Sequence, residues 1–81
     1  MPTVLRHGSF RFFFYSNEGD PREPIHMHVR DGSGEAKFWV EDEIALARSD
    51  GFDARTLRRL AGLVSEYRDL IMRNWDEHFG A

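Results

Sequence analysis

The sequence predicts an α+β domain: a small antiparallel sheet of three to four strands, packed on one face by C-terminal helix. Three observations carry that reading. Up to about Val40 the apolar residues fall in short, aromatic and β-branched blocks that suit strands. Clusters of Gly, Pro, Asn and Asp separate those blocks. From Asp53 onward the apolar residues recur at spacings of three and four, the signature of one helical face. With 81 residues the chain reads as a single domain over 1–81, since chains divide into domains only when several times longer.

Residues 3–6 form a short first strand, and His7-Gly8 marks a tight turn. Residues 9–15 are a strong strand, because Phe10, Phe12, Phe13, Phe14 and Tyr15 all favour extended backbone. Residues 16–24 carry every breaker signal of a loop. Residues 25–30 and 35–40 pair as a hairpin through Asp31-Gly32-Ser33-Gly34. Residues 41–51 read as an irregular segment or a short strand anchored by Ile44, Ala45 and Leu46. Asp53 is a good N-cap for a helix that begins at Ala54, and Gly80 is a natural terminator. Leu57, Leu60, Val64, Tyr67, Ile71, Trp75 and His78 make the apolar stripe. An unbroken helix over 54–79 would run about 39 Å. A compact chain of this size has a radius of gyration near about 12 Å. The spacing therefore predicts one long helix or two short ones, with a break expected between Gly62 and Asp69.

Composition narrows the function classes. The absence of cysteine excludes disulfide frameworks, thiol nucleophiles and cysteine-based zinc sites. The first residues hold no long apolar stretch, so no membrane association is expected and the expected location is cytoplasmic. The formal net charge is −3, which argues against a nonspecific nucleic-acid coat, although a local basic patch is compatible with it. Ten of the eleven cations are arginine, whose planar fork suits carboxylates and phosphates, and Lys37 is the single lysine.

Alternation along strands decides where chemistry would sit. In the obvious register Ile25, Met27, Val29, Ala36, Phe38 and Val40 share the core face with Phe10, Phe12 and Phe14. The opposite face collects Arg11, Phe13, Tyr15, His26, His28, Lys37 and Trp39. Two histidines at i and i+2 point the same way, and imidazole is the side chain that exchanges protons near neutral pH. Three readings follow. The pair would bind a metal if Asp20, Glu23 or Glu35 completed a ligand set, although no spacing selects them. It would serve acid–base chemistry on a phosphodiester, with Arg11 and Lys37 holding phosphate and Tyr15 or Trp39 stacking a base. Or the aromatic and basic face is an interaction surface. His7 reads as a turn residue and His78 as a helix-packing one. The Arg55, Arg58 and Arg59 cluster reads as a solvated helix face.

Several blocks together carry a family resemblance. Met1-Pro2-Thr3-Val4-Leu5-Arg6, Arg11-Phe12-Phe13-Phe14-Tyr15-Ser16-Asn17-Glu18-Gly19, Pro24-Ile25-His26-Met27-His28-Val29, Gly34-Glu35-Ala36-Lys37-Phe38-Trp39 and Trp75-Asp76-Glu77-His78-Phe79-Gly80 resemble the small prokaryotic family called domain of unknown function 4160. Ile25 stands where the family usually has a second proline. The resemblance implies a genomic setting: such genes often neighbour those of domain of unknown function 2442 in toxin–antitoxin-like pairs. By that analogy the chain would be the toxin-like member, with a small protein partner encoded next to it and RNA as a target.

The resulting expectation is a component of a two-protein module acting through an exposed sheet face. Ribonuclease chemistry by His26, His28, Lys37 and Arg11 is its specific form, with Phe13, Tyr15 and Trp39 as binding residues. No metal and no cofactor are assigned. The alternative is a non-enzymatic protein-binding or dimerisation module using the same face. Phe13, Tyr15 and Trp39 exposed together would favour a homodimer.

Overall fold

The computed structural model describes residues 3–15 and 24–80. Five strands run in the order β1 (Thr3–His7), β2 (Phe10–Phe13), β3 (His26–Arg30), β4 (Glu35–Val40) and β5 (Ile44–Asp50). They form one antiparallel meander in which each strand pairs with its sequence neighbours. Two helices follow, α1 (Ala54–Glu66) and α2 (Arg68–Phe79). The expectation of three to four strands is corrected to five.

The extra strand comes from the ambiguous 41–51 segment. Residues 45–50 are all exposed, so no buried alternation announces them. β5 is held by its ladder to β4, with Lys37 opposite Arg48 and Val40 opposite Ile44. Such backbone pairing leaves little trace in side-chain pattern.

Each turn has a local cause. Gly8 takes a left-handed φ of 61°, letting Gly8-Ser9 close the β1–β2 hairpin with His7 opposite Phe10. Between β3 and β4, the Asp31 carboxylate accepts from the Ser33 and Gly34 amides at 2.7 and 3.1 Å. That is the Asx geometry that makes aspartate a turn former.

The hairpin register is the one the alternation requires. His26 lies opposite Trp39, Met27 opposite Phe38, His28 opposite Lys37 and Val29 opposite Ala36. One face therefore gathers Phe10, Phe12, Phe14, Met27, Val29, Ala36, Phe38 and Val40. These pack with Leu60, Leu63, Val64, Ile71 and Trp75 of the helices, and Ile25 joins from the margin.

The helix starts where the sequence places it, with the Thr56 amide donating to the Asp53 carboxylate at 2.8 Å. It breaks at Tyr67, whose ψ of 16° leaves the helical region. The i to i−4 bonds nevertheless continue on both sides, Tyr67 to Leu63 and Ile71 to Tyr67. The break lets both segments follow a body with a radius of gyration of 11.8 Å. None of the described helices is long and apolar enough to cross a membrane.

Candidate functional site

The second face of the sheet is built by the same ladders. Residues directly opposite in antiparallel strands point to the same side. The register therefore sets Arg6, Arg11, Arg30, Glu35 and Asp50 in one row across all five strands. A second row runs Phe13, His28, Lys37 and Arg48, and a third holds His26, Trp39 and Ala45.

The middle of this face is a continuous aromatic array. Phe13 stacks on His28 with centroids 5.5 Å apart and an interplanar angle of 23°. Tyr15 meets both rings edge-on, at 5.4 Å from Phe13 and 4.8 Å from His28. His26 lies 5.2 Å from His28 and 5.7 Å from Trp39, both nearly perpendicular. It also reaches Trp75 of α2 at 5.0 Å. Trp75 in turn touches Phe14 and Phe79, so it joins the helix-packed core to the second face.

The cations lie over this array. The Arg11 guanidinium sits 4.6 Å above the Phe13 ring, and the Lys37 ammonium 4.5 Å above Trp39. Both are cation–π geometries. Arg11, Tyr15, His26, His28 and Lys37 each make at least one further bonded or ring interaction.

The expectation of an exposed aromatic face is corrected. Phe13 and His26 are 0% exposed and His28 is 1% exposed, while Tyr15, Lys37 and Trp39 are half-buried. Sequence alternation gives the side of a sheet but not what else packs there. An aromatic-rich second face satisfies itself by ring stacking and burial, just as the first does by helix packing.

The histidines consequently differ from the expected acid–base pair in their surroundings. His26 Nδ1 donates to the Pro24 carbonyl at 2.9 Å. Neither imidazole is presented to solvent in this structure. Two open clefts among the described residues lie elsewhere: one is lined by Asp42, Glu43, Gly62, Ser65, Glu66 and Asp69, the other by the β3–β4 turn. No group of three or more His, Asp or Glu among the described residues is placed to hold a metal ion. Asp20 and Glu23 lie outside the described residues, and Glu35 faces Arg30 at 3.9 Å. His78 is exposed at the helix end, with its ring 5.2 Å from Phe14.

Three arginines of this face escaped the sequence reading: Arg6, Arg30 and Arg48. The signal was available for the first. A two-residue loop at Gly8-Ser9 makes positions summing to 17 partners, which sets Arg6 opposite Arg11. Arg6, Arg11 and Arg30 then stand side by side on adjacent strands, which are spaced at about 4.8 Å. Like charges directly opposite repel unless other groups offset them; here Arg30 meets Glu35 and Arg11 lies over the Phe13 ring.

The family model for domain of unknown function 4160 matches residues 9–76. The chain belongs to that family. The match takes in β2 to β5, all of α1 and most of α2, and so spans most of the face just described. No curated protein and no solved structure shows significant similarity to the chain.

Proposed function

We propose that this member of the domain of unknown function 4160 family is a toxin-like component of a two-protein module that grips single-stranded RNA on the second face of its sheet. The observation that carries the reading is the arginine row. Arg6, Arg11 and Arg30 lie directly opposite one another on adjacent strands, and Arg30 also reaches Glu35 at 3.9 Å. A polyanion is a fitting partner for such a row, since guanidinium groups bind phosphate with paired donors. Tyr15 and Trp39, both half-buried, border the aromatic array and are of the residue type on which bases stack, Trp39 once Lys37 moves off its ring. The chain's net acidity confines this attraction to one face, giving orientation rather than a general affinity for nucleic acid.

On this reading binding comes before cleavage. The burial of His26 and His28 favours their holding Phe13, Tyr15 and Trp39 in place over their attacking a phosphodiester. Ribonuclease chemistry by His26, His28, Lys37 and Arg11 would require that face to open.

The test is binding of a labelled single-stranded oligoribonucleotide across a salt series. For single strands, log K should fall with log salt at about −0.7 per phosphate contact, so a three-arginine grip gives a slope near −2. Arg6→Glu combined with Arg30→Gln should reduce the slope by about 1.4 and weaken binding. Both side chains are exposed, so the fold should persist. Binding that is absent, or indifferent to the double variant, sinks the RNA reading. The non-enzymatic protein-binding or dimerisation module would then stand, and co-expression with the neighbouring gene product would identify its partner. A toxin-like role also requires that expression of the chain alone arrest growth and that the neighbour relieve the arrest.

A further inference from the structure

We infer that the outer edge of β5 is where a second copy of this chain docks, joining two five-stranded sheets into one continuous sheet. Each edge strand meets a helix, α2 at β1 and α1 at β5, and each carries one irregularity in its pairing, that of β1 lying between Thr3 and Leu5. β5 is seven residues long, and it contains neither proline nor lysine. All of its residues after Ile44 are exposed, including Leu46 at 46%, the large apolar side chain that the described fold leaves most open. Its own irregularity falls where the β4 partners pass from Lys37 to Phe38, leaving 48–50 as a regular stretch.

That stretch is also held rigid. A Cβ on Gly34 would lie 2.3 Å from the Asp50 carbonyl oxygen, and one on Gly51 2.3 Å from the Ser33 carbonyl oxygen. The β3–β4 turn is therefore pressed backbone to backbone against the end of β5. A preorganised edge loses little conformational entropy when it pairs.

Charge selects the occupant. Within the chain, Arg48 lies opposite Lys37 and Asp50 opposite Glu35, two like-charge pairs side by side on the second face. An antiparallel two-fold centred on Ser49 sets Arg48 of one copy opposite Asp50 of the other, twice. The pattern is self-complementary, and a two-fold pair is the commonest closed assembly. Because opposed residues share a side, the second faces of both copies would form one surface. The inference does not depend on what that surface binds.

Sedimentation of the purified chain at high micromolar concentration, without nucleic acid, tests it. The wild type should run as a dimer, and Arg48→Asp or Asp50→Arg alone should give folded monomers. The double reversal Arg48→Asp/Asp50→Arg should restore the dimer, because it rebuilds the opposed pairs with exchanged signs. Far-ultraviolet circular dichroism verifies folding of each variant. A monomeric wild type overturns the inference, as does a dimer that survives both single reversals. So does a folded double reversal that stays monomeric.

Discussion

The two faces of this sheet both bury side chains at their centre, yet they do so by different chemistry. The first is apolar: Phe12, Met27, Val29 and Phe38 lie under Leu60, Val64, Ile71 and Trp75, a set with no hydrogen-bonding demand except the Trp75 indole. The second is aromatic and ionisable, with Phe13, Tyr15, His28, His26 and Trp39 in ring contact beneath Arg11 and Lys37. A face made for stability alone would resemble the first, because apolar burial stabilises without needing partners for polar atoms. The second face keeps imidazoles, guanidinium groups and a row of opposed arginines, the feature that the proposed RNA grip would use.

The strongest way to break the comparison is to remove the residue that belongs to both sides. Trp75 is 0% exposed and contacts Phe14 on the first face and His26 on the second. Trp75→Ala should cost about 3–5 kcal/mol, the range for deleting a buried large aromatic. Domains of this size carry roughly 5–10 kcal/mol in total, so thermal and urea melts should show a protein close to unfolding at ambient temperature. A loss below about 1 kcal/mol would mean that the two faces are not joined through this ring.

Replacing His28 asks whether the second face is structural in its own right. The ring is 1% exposed and stacked on Phe13, so His28→Ala should destabilise by about 2 kcal/mol and lower the melting midpoint by about 8 °C or more. An unchanged midpoint combined with a lost biological effect would instead return the histidines to a chemical role.

Much of this contrast was legible in the sequence. Strict alternation through His26-Met27-His28-Val29 and Ala36-Lys37-Phe38-Trp39 determined which residues share a side, since a slip of one position would bury the wrong set. The Asp53 cap and the break before Asp69 were equally readable, from capping chemistry and from the length of a helix against the size of the body. Two things were not. β5 is fixed by backbone hydrogen bonds, and its exposed Ala-Leu-Ala-Arg-Ser run lacks the burial that makes a strand visible. The depth of the second face was also hidden, because alternation assigns Phe13 and His28 to a side without recording their stacking. Arg6 was missed for a geometric reason: its place opposite Arg11 depends on a two-residue turn, and a one-residue error in that turn moves it to the other face.

A finer test concerns the corner where the faces end. Gly34→Ala places a methyl group within van der Waals overlap of the Asp50 carbonyl, so the β3–β4 turn or β5 must move. Overpacking of this kind costs about 1–3 kcal/mol. Because the corner lies at the end of β5, β5 amides should lose hydrogen-exchange protection before those of β2 and β3. Uniform loss across all strands would show that the sheet opens as one unit.

The smallest expected effect touches the first face alone. Asp53 caps α1, the helix that lays Leu60, Leu63 and Val64 on the apolar side. The Thr56 backbone amide, and then the Thr56 side chain, hold the Asp53 carboxyl below its usual value. Arg58 lowers it slightly further, against a small desolvation that raises it. A carboxylate whose folded pKa is depressed contributes stability that is complete above its unfolded value of 3.8. That contribution fades as the pH falls through the lower, folded value. Asp53→Asn keeps a capping oxygen but removes the titration. The variant's melting midpoint should thus be slightly below the wild type at pH 6, and the gap should close as the pH drops below about 4. A gap that stays constant down to pH 2 would show that the Asp53 charge adds nothing to the cap. On the proposed reading, RNA binding at pH 6 belongs to the other face and should not respond to Asp53→Asn at all. A shift in affinity there would mean that the seating of α1 reaches through the sheet, and the two faces would have to be treated as one coupled body.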